Sequence, residues 1–77
     1  MRFSIISEIP GRTRLQLAGP VPESDLDALL KLGGDIDGVH KVRVYGRIGQ
    51  MALEYDESRR DAVLAAVGAL DAQAIAD

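Results

Sequence analysis

The chain has no cysteine, no tryptophan and no asparagine, and its 77 residues include one histidine, two tyrosines and one phenylalanine. Without thiols there is no disulfide, no iron–sulfur cluster and no thiolate metal site. His40 alone cannot make a zinc centre, which takes several side chains from Cys, His, Asp and Glu. No apolar run approaches the roughly 18 residues that a membrane-spanning helix needs. The opening Met1–Ile6 is too short, and too soon followed by Glu8, to read as a secretory signal. The net charge of −3 gives no general argument for nucleic acid or an anionic membrane. These absences lead us to expect a soluble, cytoplasmic, cofactor-free chain. Its length allows one domain spanning 1–77 with a single small core.

What is present is alternation. Phe3 to Ile9 reads as a strand with Phe3, Ile5 and Ile9 on one side and Ser4, Ile6 and Glu8 on the other. Pro10-Gly11 supplies a turn, proline setting φ at the first central position and glycine accepting a positive φ at the second. Thr13, Leu15 and Leu17 then alternate with Arg12, Arg14 and Gln16. Val42 and Val44 alternate with Lys41, Arg43 and Tyr45, and Met51, Leu53 and Tyr55 with Ala52 and Glu54. Gly46-Arg47-Ile48-Gly49 joins these last two runs as a hairpin connection.

Two stretches carry helical spacing. The first opens at Ser24, whose hydroxyl is placed to cap the N–H of Asp27, and shows Leu26, Leu29 and Leu30 as its apolar stripe. Gly33-Gly34 either ends this helix or lies within it, close against a sheet. We favour continuation to Ile36. The second opens near Ser58 and shows Val63, Leu64, Val67 and Leu70. Ala72 to Asp77 reads as a short closing strand or a tail.

The expected architecture is α+β, a ferredoxin-like β-α-β-β-α-β two-layer sandwich. An antiparallel sheet carries both helices on one face, with an additional or bent N-terminal strand.

Glu8-Ile9-Pro10-Gly11-Arg12-Thr13-Arg14-Leu15, Asp37-Gly38-Val39-His40-Lys41-Val42-Arg43-Val44 and Leu53-Glu54-Tyr55-Asp56, in that order, resemble the heavy-metal-associated domain. The resemblance is to the cysteine-free variant at the N-terminus of bacterial heavy-metal-translocating P-type ATPases, and it covers nearly the whole chain. It implies a cytoplasmic domain whose partners are the cytoplasmic domains of a parent or partner ATPase, with the membrane reached only through that parent. The metal-carrying members hold a soft ion on a Cys-x-x-Cys pair between the first strand and the first helix. Here that junction is Ala18-Gly19-Pro20-Val21-Pro22-Glu23-Ser24, so no metal ligand carries over. Met51, a soft donor by type, reads as a core residue.

Charge is unevenly placed. Arg12, Arg14, Lys41, Arg43 and Arg47 share the polar phase of strands or their turns, whereas most acids lie on helices and their flanks. The plain reading is a solvated sheet face, with Glu54 crossing to Arg14 or Arg43. The functional reading is a docking face for an acidic surface, with those five basic residues as its candidates. An alternative is a small-ligand or nucleic-acid module on the same face. An RNA platform would need several aromatics there, and only Tyr45 has the right phase. An acylphosphatase-like enzyme would need an asparagine. Catalysis finds no support, since His40 has no evident partner in sequence. A third reading is a homodimer through a sheet edge.

Overall fold

The computed structural model of the chain describes residues 1–70. These form β1 (Phe3–Ile9), β2 (Arg12–Leu17), α1 (Glu23–Gly34), β3 (Val39–Tyr45), β4 (Gln50–Tyr55) and α2 (Arg60–Ala69), with short 3-10 turns at Gly46–Ile48 and Glu57–Arg59. The strands make one antiparallel sheet in the order β1-β2-β4-β3. The chain is thus α+β. Among the described residues the order is β-β-α-β-β-α, which contains the additional N-terminal strand but does not match the expected β-α-β-β-α-β order exactly. Phe3–Ile9 is a separate edge strand, folded back by the Pro10-Gly11 turn, in which Gly11 takes φ +78°. The proposed closing strand at Ala72–Asp77 lies outside the described residues.

Alternation decides which side of the sheet is covered. Leu15, Leu17, Met51, Leu53 and Tyr55 point to one face and are buried together with Leu29 of α1 and Val63 and Val67 of α2. Phe3, Val42 and Val44 pack at the margin of this cluster. Thr13 is fully buried among them, and its hydroxyl meets the Tyr55 hydroxyl at 2.5 Å, so both polar groups are satisfied without water.

The first helix departs from expectation at both ends. Pro22, not Ser24, stands at its N-cap, and no side chain caps it. Proline suits a helix entry because its missing N–H would have no partner there. The helix runs through both glycines but stops at Gly34, short of Ile36, with Asp35 as its C-cap. Ile36 and Val39 still pack on the core from the following loop and strand. Leu30 is 38% exposed, and the buried stripe continues from Leu29 to Gly33. A methyl group on Gly33 would stand 2.8 Å from Met51 Cε and 3.3 Å from Val42 Cγ1, so the glycine lets α1 approach the sheet. The second helix is entered through the 3-10 turn containing Ser58 and begins at Arg60.

Two β-bulges change faces that a strict two-residue period would assign. Opposite β2, Ile5 pairs with Leu15 but Ser7 pairs with Arg14, leaving Ile6 as an extra residue. One inserted residue reverses the phase of everything beyond it. Glu8 therefore joins the helix side and Ile9 the bare side, the opposite of the alternation read from sequence. On the helix side the Glu8 carboxylate pairs with the Arg60 guanidinium of α2. At the other end of β1, the amino group of Met1 donates to the carbonyls of Gly68 and Leu70 at 2.7 and 2.6 Å. Strand β1 is thus fastened to α2 at both ends. The second bulge is at His40, between the pairs Val39–Tyr55 and Lys41–Glu54.

Candidate docking face

The face without helices is ordered by the strand register into three rows. Gln16, Gln50 and Tyr45 form the first, Arg14, Ala52 and Arg43 the second, and Arg12, Glu54 and Lys41 the third. In each row β4 supplies the middle residue and β2 and β3 the outer two. The bulge in β1 extends the second row with Ser7 and the third with Ile9. The second and third rows, with Tyr45 of the first, line a shallow groove of ≈ 470 Å³, in which Arg12, Arg14, Lys41 and Arg43 supply four cations and Glu54 the acid. Four of the five basic residues singled out from sequence come together here. The fifth, Arg47, sits exposed in the 3-10 turn at the β3–β4 tip and does not line the groove.

The two charged rows differ in how their cations are held. Glu54 stands between Arg12 and Lys41 and lies 3.6 Å from Arg12. Its partner is thus neither Arg14 nor Arg43, the two proposed from sequence. Both side chains of the pair are exposed, and such a pair contributes at most about 1 kcal/mol. In the second row, Ala52 provides no charge. Arg14 instead sets its guanidinium carbon 5.1 Å from the centroid of the Tyr45 ring, two strands away, so the side chain reaches across β4. At an exposed site this cation–π contact is worth about 0.5–1 kcal/mol. Among the described residues neither Arg14 nor Arg43 has a carboxylate within ion-pair distance.

Away from this face, the Arg60 hydrogen bond holds the Glu8 carboxyl below its usual range against a smaller opposing effect of desolvation, and Arg60 is raised in turn. His40, which lacked a partner in the sequence reading, has one in space. Its Nε2 lies 2.8 Å from Asp56 Oδ1, with both side chains more than half exposed. The signal in sequence was weak, since the bulge that turns His40 toward Asp56 has no glycine or proline to mark it. Ile9 escaped notice as a groove residue for the same reason at Ile6. Tyr45 and Arg14, by contrast, share a phase that made their contact readable.

The junction before α1 is closed by backbone hydrogen bonds to the hairpin tip. Leu17 N–H donates to Gly49 O at 2.7 Å, and Val21 N–H to Gly46 O at 2.8 Å. No group of three or more His, Cys, Asp or Glu side chains able to hold a metal occurs among the described residues, and Met51 is fully buried. No helix there is long and apolar enough to cross a membrane. Comparison with protein-family models, with curated proteins and with solved structures gives no match.

Proposed function

We propose that this chain is a docking domain without catalytic or metal-carrying chemistry of its own. It belongs by this reading to the cytoplasmic N-terminal region of a cation-transporting P-type ATPase, or is a free-standing relative. There it binds cytoplasmic domains of the transporter and adjusts turnover. The observation that carries the reading is the convergence of Arg12, Arg14, Lys41 and Arg43 on the sheet face left bare by the helices. Complementary charge gives such a face both a fast encounter with an acidic surface and a preferred orientation on it.

The topology supports the family part of the proposal. The run β2-α1-β3-β4-α2 follows the first five elements of a ferredoxin-like fold. β1 lies beside β2, at the sheet edge where the last strand of that fold stands. The chain is in this view a ferredoxin-like variant whose edge is filled from the N-terminus. The junction that would carry thiols is tied to the β3–β4 tip and contains no soft donor.

The test is titration of the purified chain with the nucleotide-binding and actuator domains of a heavy-metal P-type ATPase. Salt-sensitive binding that is lost in the Arg14→Glu/Arg43→Glu double variant is expected. Binding that survives in that variant, or no binding at low salt, rejects the reading. Calorimetry with Cu(I) and Zn(II) is expected to find no submicromolar site. The Arg14–Tyr45 cation–π pair is the one observation favouring the alternative, a phosphate-bearing ligand or RNA, and anisotropy with a labelled oligonucleotide tests it directly.

A further inference from the structure

The contrast between the two charged rows points to a particular place on the face. In the third row the chain supplies its own acid: Glu54 stands between two cations and pairs with Arg12. In the second row the equivalent place is Ala52, flanked by Arg14 and Arg43. Neighbouring strands are about 4.8 Å apart, so the backbones carrying Arg14 and Arg43 are separated by about 10 Å with a methyl group between them. Arg14 leans across this gap to the face of Tyr45. This contact uses none of the guanidinium N–H groups in a hydrogen bond to a side chain, so they remain available as donors to an anion. Arg43, two residues before Tyr45 on the same strand, borders the gap from the other side.

We infer that the gap over Ala52, between Arg14 and Arg43, is an anion-recognition site. Its occupant is the carboxylate of an aspartate or glutamate on a protein partner, taking the place that Glu54 occupies in the adjacent row. The inference rests on the docking reading and names the chemistry of its central contact. Two cations on one face with no acid in their row repel one another, and a partner carboxylate relieves that repulsion while its own desolvation is offset by charged donors. Carboxylate is favoured over phosphate because the chain already pairs a carboxylate in this setting, one row away. Glu54 acts on the same site as a built-in competitor: it lowers the potential over the groove, so removing its charge should tighten binding.

The probe is fluorescein-labelled hexaglutamate, followed by fluorescence anisotropy with the whole chain at low and moderate salt. Ala52→Glu places a carboxylate in the gap and is expected to weaken binding by about tenfold or more. Glu54→Gln is expected to strengthen it by about two- to threefold. Ala52→Ser, which leaves the gap open, should bind as the parent chain does. Thermal unfolding by circular dichroism checks that each variant is folded. The Arg14→Gln/Arg43→Gln pair, which leaves position 52 untouched, should lose binding as Ala52→Glu does.

Salt-sensitive binding left unchanged by both Ala52→Glu and Arg14→Gln/Arg43→Gln overturns the site. If the ATPase domains bind but hexaglutamate does not, the carboxylate assignment falls while the docking reading stands. Tighter binding of inorganic pyrophosphate than of hexaglutamate, although it carries less charge, overturns the carboxylate assignment in favour of phosphate. Failure of both the ATPase domains and hexaglutamate to bind overturns the site together with the reading beneath it.

Discussion

The two faces of the sheet treat polar groups in opposite ways. On the covered face the fully buried Thr13 hydroxyl and the Tyr55 hydroxyl are joined to each other, and no side-chain polar atom buried among the described residues lacks a partner. On the bare face Glu54 is the acid set among four cations, and Arg14 rests on an aromatic ring for want of a carboxylate. The first pattern is what stability demands, because an unpaired buried hydroxyl costs free energy that water would otherwise recover. The second leaves electrostatic free energy unrealised in the isolated chain. A face so arranged becomes more favourable when something anionic covers it, which separates the fold's needs from those of the partner surface.

The sharpest way to break this division is at the Thr13–Tyr55 pair. Tyr55→Phe takes away the short hydrogen bond of the buried Thr13 hydroxyl, leaving the neighbouring Glu8 carboxylate as the acceptor in reach, and should lower the unfolding free energy by about 1 kcal/mol in a denaturant titration. Adding Thr13→Val removes the other half of that bond, so the double variant should lose less than the sum of the two singles. Anion binding by the folded Tyr55→Phe chain should not change, since Tyr55 faces the core. Equal losses of stability and of hexaglutamate affinity in this variant would mean that the two faces are energetically one.

Much of this division was legible in the sequence because β2, the Val42–Tyr45 part of β3, and β4 keep an unbroken two-residue period. Leu15, Leu53 and Met51 fall to one side, and Arg14, Arg43 and Ala52 to the other. What could not be read are the departures from that period. The bulge at Ile6 has no glycine to announce it, and Ile5-Ile6 looks equally apolar in either phase, so strict alternation puts Glu8 and Ile9 on each other's faces. The Glu8–Arg60 and His40–Asp56 pairs depend on such bulges and on contacts between distant segments, which local pattern does not encode. Glu54 was expected near Arg14 or Arg43 because phase fixes the face but not the register. A shift of two residues along the strand exchanges those neighbours for Arg12 and Lys41.

A smaller effect distinguishes the two adjacent glycines of α1, one against the covered face and one away from it. Gly34 has open space where a methyl group would go, so Gly34→Ala should stabilise the chain by about 0.5 kcal/mol through helix propensity alone. Gly33→Ala gains the same propensity but drives a methyl group into Met51 and Val42, both part of the packing beneath α1. Met51 Cε is the end of a flexible side chain and can swing aside, but it must do so inside a filled core, so Gly33→Ala should gain less stability than Gly34→Ala. Matching thermal shifts in the two variants would show that α1 does not press on the sheet at Gly33.

The smallest expected effect is the acid dependence of the Glu8–Arg60 link, which fastens β1 to α2 on the covered side. The Arg60 hydrogen bond depresses the Glu8 carboxyl from its ordinary 4.5, meaning that the folded chain binds this proton less readily than the unfolded chain. Such a group contributes its stabilisation above the unfolded value and loses it as pH falls through the lower folded value. The parent chain should therefore lose stability on acidification below about 4.5 by slightly more than Glu8→Gln, whose side chain cannot titrate. At neutral pH the variant should be only marginally weaker, because the pair is partly exposed to solvent. Neutral-pH hexaglutamate binding should be the same in both, since Glu8 lies across the sheet from the four cations. If Glu8→Gln instead changes binding while the acid limbs of the two stability curves coincide, Glu8 acts on the bare face, and the phase reversal at Ile6 does not hold in solution.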